Sequence, residues 1–313
     1  MTKIAAIALN TFKEAIRNRI LYILLFFAIL IMLGSWVVST LAIFGQDKII
    51  RDFGIMGINL ISVAIAVLVG IGLVYNDLDK RTIYTIVSKP ISRWQFLVGK
   101  YFGLLLTIFV NVLIMTFFFV GVLYFRDYTS EEALGALYEG TTPPSGVELT
   151  IYYLGSIFSS IGKSLLTVIT LGIYHSEAAK GIVETSLLTM MEMSVITSFA
   201  VLFSSFSSPT LSAFMTIIVF MIGRANQDLY LFADLIVRRV GSVEELSGGQ
   251  MITYWFSWAA AHVAPNLEVF NQREAVANFL PVEISAYSIL YGFAYSVCVL
   301  LVATIIFNRR NFK

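Results

Sequence analysis

Charge and cysteine are both scarce in this sequence. Only 13% of its 313 residues are charged, against roughly 25% in a typical soluble domain. The single cysteine, Cys298, excludes a disulfide within the chain and any cysteine-bound metal cluster. The net charge of +1 provides no basic field of the kind that attracts nucleic acid, so no nucleic-acid partner is expected.

Apolar residues make up 58% of the chain. Helices that are apolar on most sides are typical of proteins surrounded by lipid. We therefore predict an all-α, polytopic integral membrane protein that forms one transmembrane domain over residues 1–313. Six stretches meet the requirement of about 20 mostly apolar residues for a membrane span: 20–44, 54–75, 101–125, 182–203, 209–232 and 285–307.

The first 19 residues predict an amphipathic helix that precedes the first span. Apolar side chains between Ile4 and Ile16 fall on one side of a helical projection, with Ile7 as the exception. Lys13 and Arg17 fall on the other side. A basic amphipathic helix of this kind is expected to lie in the membrane surface as an interfacial, or elbow, helix.

Basic residues indicate the orientation of the spans. More than half of the chain's 21 Lys and Arg residues lie near the two termini and in the loop 76–100. Because cytoplasmic segments are enriched in Lys and Arg, we place both termini and this loop in the cytoplasm, which requires an even number of spans. Segments 126–180 and 233–284 are then outer-face segments with re-entrant helices. If their ambiguous stretches 151–174 and 252–264 both crossed, eight spans would also satisfy the rule.

Residues 246–250 read LSGGQ, the signature pentapeptide of the ATP-hydrolysing subunit of ABC transporters. Such an ATPase also needs the phosphate-binding loop GxxxxGK[ST]. The nearest match, IFSSIGKS, has Ile157 where the first glycine belongs. We therefore interpret the pentapeptide as a coincidence. Its local explanation is a short helix with Ser242 and Glu245 as a capping box and the two glycines at its end.

The cytoplasmic loop carries a more informative pattern. Its stretch DLDKRTIYTIVSKPISRWQFLVGKYFG (77–103) resembles a motif of the type-2 ABC exporter permeases, which are the membrane partners of ABC ATPases. That motif has an acidic residue, then R-T-I, then S-K-P-[IV]-[ST]-R and an apolar-G-K approach to the third span. The family often has glutamate where this chain has Asp77 or Asp79. PNLEVFNQRE (265–274) and the terminal IFNRRNF (306–312) extend the similarity, which is greatest to stand-alone permeases of the nitrous-oxide-reductase copper-maturation type.

The resemblance implies an exporter permease that is not itself an enzyme and holds no cofactor. ATP and Mg²⁺ would be bound by partner ABC ATPase subunits. A second copy or a paralogue would complete a dimer in the lipid bilayer of the cytoplasmic, or inner, membrane. The residues implied in coupling to the ATPase are Arg81, Ser88, Lys89, Pro90, Arg93 and Trp94.

Physical arguments support such a coupling role. Pro90 breaks a helix, and the residues after it can form a short helix. This helix would offer Trp94, Phe96 and Leu97 as apolar contacts and Arg93 as a charge-assisted donor. The alternative is that the basic residues of the loop contact only lipid headgroups.

Glu192 lies in the middle of the fourth predicted span, where a carboxylate is costly and should face the bundle or a water-filled path. It belongs either to the translocation path or a subunit contact, or it is a structural carboxylate bonded to Asn59 or Asn111.

Two other function classes are open. An ATP-independent carrier usually shows internal repeats, which this sequence lacks. An intramembrane hydrolase needs a reactive set of side chains, but the two histidines, His175 and His262, lie far apart without a metal-binding spacing.

Overall fold

The computed structural model describes residues 3–73, 92–129, 146–170, 177–241 and 246–309. The regular structure in these ranges is helical, with no strand, which confirms the all-α prediction for this part of the chain. In chain order the helices are α1 (Lys3–Ile16), α2 (Arg19–Thr40), α3 (Gln46–Ala64, continued through the π-helical turn Ile65–Val69 to Leu73), α4 (Arg93–Thr129), α5 (Gly146–Ile169), α6 (Glu177–Ser204), α7 (Pro209–Arg224), α8 (Asn226–Val240), α9 (Gly248–Val263), α10 (Arg273–Ala277) and α11 (Ala286–Arg309), with a 3-10 turn at Leu267–Phe270.

Five helices are long and apolar enough to cross a membrane, namely α2, α3, α4, α6 and α11. The pair α7 and α8 meets the same criterion jointly but is bent by 61°. The described residues therefore supply five or six candidate spans. This number confirms a multi-pass membrane protein.

The bend between α7 and α8 differs from the continuous helix that the sequence predicted over 209–232. α7 has no charged residue before Arg224, whereas α8 carries charges along its length. Asn226 is buried and donates from Nδ2 to the carbonyl oxygen of Ala261 at 2.6 Å. This bond attaches the start of α8 to α9, so the chain leaves the direction of α7 and forms a helical hairpin with α9.

Helix α5 turns its polar side toward the protein. Ser156, Ser160, Ser164 and Thr167 are buried, whereas the large apolar side chains between them are exposed. Ser164 donates to the carbonyl oxygen of Phe117, and hydroxyl groups at interfaces of this kind let helices pack closely in lipid. The predicted helical segment at 151–174 is thus helical through Ile169, with the surface pattern of a helix that faces lipid.

Helix α6 is the most enclosed of the candidate spans, with 83% of its apolar window buried. It contacts α3, α4, α7 and α11. Hydroxyl pairs connect it to two of these neighbours: Thr116 donates to Ser186 at 2.8 Å, and Ser194 and Ser296 lie 3.2 Å apart. Glu192 is therefore carried on the central helix of the bundle.

Candidate functional site

The predicted coupling residues lie at the start of α4 or just before it. Arg93 and Trp94 form the first turn of α4, which begins eight residues before the predicted span. Arg81, Ser88, Lys89 and Pro90 lie outside the described residues.

Arg93 is bonded within the chain. Its Nη1 donates to the carbonyl oxygens of Phe307 at 3.3 Å and Asn308 at 3.2 Å, in the last turn of α11. Carbonyl groups at a helix C-terminus lack intrahelical partners, and a cation there is favourable. Arg93 therefore joins the start of α4 to the end of α11, a contact between residues too far apart in the sequence to be recognised by pattern.

Phe96 and Leu97 are not available as contacts for a partner, so that part of the sequence prediction is wrong. Phe96 stacks on Phe307 with ring centroids 6.4 Å apart, and Leu97 is fully buried. The face of α4 that carries them packs on other helices of the same chain. Trp94 is 46% exposed and lines an apolar groove of about 680 Å³ between α4, α6 and α11.

The amphipathic helix α1 packs on this part of α4. A Cβ atom at Gly99 would lie 2.7 Å from the side chain of Ile7, and one at Gly103 would lie 2.5 Å from that of Thr11. Two glycines four residues apart thus permit the close approach of the helices. Ile7, the exception to the predicted apolar face, belongs to the face that packs on α4.

One charged contact accompanies this packing. The Nζ of Lys100 lies 3.4 Å from Oε2 of Glu14, and Lys100 is only 1% exposed. At the end of α3, a Cβ at Gly70 would lie 3.7 Å from Leu104 of α4. The two terminal helices and both attachment points of the motif-bearing loop therefore gather at one end of the bundle.

Glu192 forms a buried ion pair. It is fully buried, and its Oε2 accepts from Nη2 of Arg224 and from Nδ2 of Asn59, both at 2.8 Å. Its Oε1 is buried without a hydrogen-bond partner among the described residues. Of the two amides proposed from the sequence, Asn59 is correct and Asn111 is wrong, because Asn111 donates to the carbonyl oxygen of Thr107.

Arg224 was missed by the sequence analysis. It is the last residue of α7 and follows an uncharged stretch. A charged residue at such a position indicates the end of a membrane span rather than a partner for a buried carboxylate. The sequence did contain a signal for this pair. α6 and α7 form a hairpin, and Glu192 and Arg224 lie at similar numbers of residues from its turn at 205–208. Ionisable groups that pair inside a membrane protein frequently mark the path of a substrate or ion. A buried ion pair often adds little net stability, so its presence is weak evidence for a purely structural role.

A cavity of about 370 Å³ with charged side chains in a largely apolar lining adjoins the ion pair. Asn59 and Arg224 line it from α3 and α7, and Glu268 and Arg273 line it from the segment PNLEVFNQRE. Arg273 is fixed by two hydrogen bonds to Asp52 of α3, one of them 2.7 Å from Nη2 to Oδ2. These bonds raise the pKa of Arg273 above its usual range and keep the guanidinium charged. The cavity therefore brings two paired guanidiniums and a carboxylate together.

The LSGGQ pentapeptide begins helix α9 rather than ending a helix, contrary to the prediction. The backbone N–H of Ser247 donates to Oε1 of Gln250 at 3.0 Å, which satisfies a donor at the helix N-terminus. The two glycines are the first residues of α9. Ser242 and Glu245, the predicted capping box, lie outside the described residues.

No model of a known protein family matches the chain, and no curated protein matches it.

Proposed function

We propose that this chain is the membrane-spanning permease subunit of an ATP-driven exporter of the type-2 ABC class. Separate ATPase subunits would hydrolyse ATP and hold Mg²⁺, and a second copy or paralogue would complete the dimer. The chain would lie in the cytoplasmic, or inner, membrane with both termini in the cytoplasm. The observation that carries the proposal is the resemblance of residues 77–103 to the loop through which such permeases contact their ATPase.

The packing around the attachment points of this loop is consistent with a coupling role. Arg93 bonds to the end of α11, Phe96 stacks on the same helix, and Lys100 pairs with Glu14 of α1. A force applied to the loop would thus reach three helices at once, as rigid-body movement of a domain requires. The cavity beside Glu192 is the corresponding candidate for part of the translocation path.

The alternatives are an ATP-independent carrier and an intramembrane hydrolase. Glu192 is bonded to an amide and a guanidinium. Neither group is a nucleophile, which disfavours the hydrolase. A buried ion pair beside a cavity would serve a carrier as well as a permease, so the presence or absence of a partner ATPase separates these two proposals.

The test is purification of the tagged full-length chain from its native host in mild detergent, with copurifying proteins identified by mass spectrometry. We expect an ABC ATPase in about equimolar amount. Replacing Lys89 and Trp94 with alanine should lower its recovery about tenfold, which corresponds to about 1.4 kcal/mol of binding free energy. Arg93 is less suitable for substitution because its loss would also remove the hydrogen bonds from α4 to the end of α11.

Lys48→Ala is the matched control. Lys48 is exposed and lies in the first turn of α3, at the opposite end of that helix from the loop. Its substitution should leave ATPase recovery unchanged. A preparation without ATPase, under conditions that preserve other complexes of this class, would contradict the permease proposal and favour the carrier.

A further inference from the structure

The cavity beside Glu192 is lined by charges of both signs. Arg224 approaches it from α7, and Glu268 approaches it from the 3-10 turn at Leu267–Phe270. Arg273 also lines it, with its charge paired to Asp52. Cavities of about 300–1,000 Å³ accommodate small molecules, and this one, at about 370 Å³, is within that range. Because the two charged groups come from different elements, their separation is fixed by the packing of the bundle.

Arg224 is held in place from the side away from the cavity. Its Nη2 bonds to Glu192, which does not line the cavity and whose side chain is only 1% exposed. A guanidinium has five N–H donors, and the bond to Glu192 uses one of them. The side chain of Arg224 is 23% exposed, so part of the group remains accessible to an occupant of the cavity.

The acceptor side of the cavity is similarly fixed. Oε1 of Glu268 accepts from Nδ2 of Asn271 at 2.7 Å, and a carboxylate can accept further hydrogen bonds.

We propose that this cavity binds a small zwitterion, whose carboxylate contacts Arg224 and whose ammonium group contacts Glu268. An anion alone would approach Glu268 unfavourably, and a cation alone would approach Arg224 unfavourably, because charge interactions are strong where water is restricted. A molecule with both charges meets both groups with the correct sign. The binding of the zwitterion is a property of this chain alone. Only the role of the zwitterion as transported cargo rests on the proposed function.

The test measures the thermal unfolding midpoint of the purified full-length chain in detergent, with any copurifying ATPase retained. The probes are glycine, β-alanine and γ-aminobutyrate, which differ in charge separation, together with acetate and ethylammonium at matched ionic strength. A saturating zwitterion should raise the midpoint by about 2–4 °C, and the singly charged probes should raise it much less. The zwitterion with the largest effect then reports the separation of the two charges.

Glu268→Gln is the diagnostic variant because glutamine keeps the size of the side chain and the acceptor for Asn271. In this variant the shift caused by the best zwitterion should fall to that of acetate. Glu283→Gln, an exposed glutamate outside the cavity, should behave as the wild type does.

Two results would overturn the inference. One is the absence of any shift in the wild type, which would mean that the cavity holds water only. The other is a shift that acetate reproduces or that Glu268→Gln leaves intact. Copurification of an ATPase in the same preparations would show that the proposed function stands even when the binding inference fails.

Discussion

Replacing Arg224 with methionine is expected to destabilise the folded protein by about 3–5 kcal/mol, the range for breaking a buried ion pair from one side. Glu192 would remain in the centre of α6, fully buried and without its cationic partner. Asn59 alone would then bond to the carboxylate. Unfolding in detergent, followed by circular dichroism, measures the effect.

The double variant Arg224→Met, Glu192→Gln is the critical companion. Glutamine removes the negative charge and can still accept from Asn59, so most of the lost stability should return. Arg238→Met is the surface control, because Arg238 is 75% exposed in its pair with Asp234 and such pairs contribute about 0–1 kcal/mol. A double variant as unstable as the single one would show that packing, rather than charge, dominates at this site.

Placing leucine at Gly103 is expected to displace α1 from α4, with a loss of about 3 kcal/mol, the upper end for overpacking. A Cβ at this position would already lie 2.5 Å from the Cβ of Thr11 and 2.6 Å from the carbonyl oxygen of Ala8. The second contact is to backbone, which cannot move aside as a side chain can. Lys13 and Arg17 are exposed but lie in or next to α1. Displacement would loosen the backbone around them for cleavage by trypsin, so faster loss of an N-terminal tag is the measurement.

Gly34→Ala provides the matched control within α2. No atom lies within 4 Å of a Cβ built at Gly34, and alanine is favoured over glycine in a helix interior by about 1 kcal/mol. This variant should therefore be as stable as the wild type or slightly more so. Unchanged trypsin sensitivity in Gly103→Leu would contradict the packing of α1 on α4.

The sequence predicted the coarse architecture well because it depends on long apolar runs, which are local properties. It also named Asn59 as one of two amides that could bond to Glu192 if that residue is structural, since a carboxylate within a span needs a polar partner. The bend at Ala225 was not predictable in this way. It depends on the bond from Asn226 to Ala261 in α9, a contact that hydropathy does not encode.

The same limit applies to the coupling region and to α1. Ile7 was the exception to the predicted apolar face of α1 because the prediction assumed that α1 is buried only by the membrane surface. In the structure, Gly99 and Gly103 of α4 determine which face of α1 is buried. Phe96 and Leu97 looked like contacts for a partner because their neighbours in space, such as Phe307, are distant in sequence. Polar and small residues at helix contacts carry the information that an apolar projection omits.

The bond from Arg93 to Asn308 has a consequence for the biosynthesis of the protein, because the two residues are 215 positions apart. At a synthesis rate of about 5–20 residues per second, Arg93 would wait roughly 10–40 s for its acceptor to be made. The start of α4 therefore reaches its final contacts only when translation of the chain is nearly finished. A chain that stops before its last helix would lack this contact, so an incomplete protein would differ from the complete one at the surface proposed for ATPase docking.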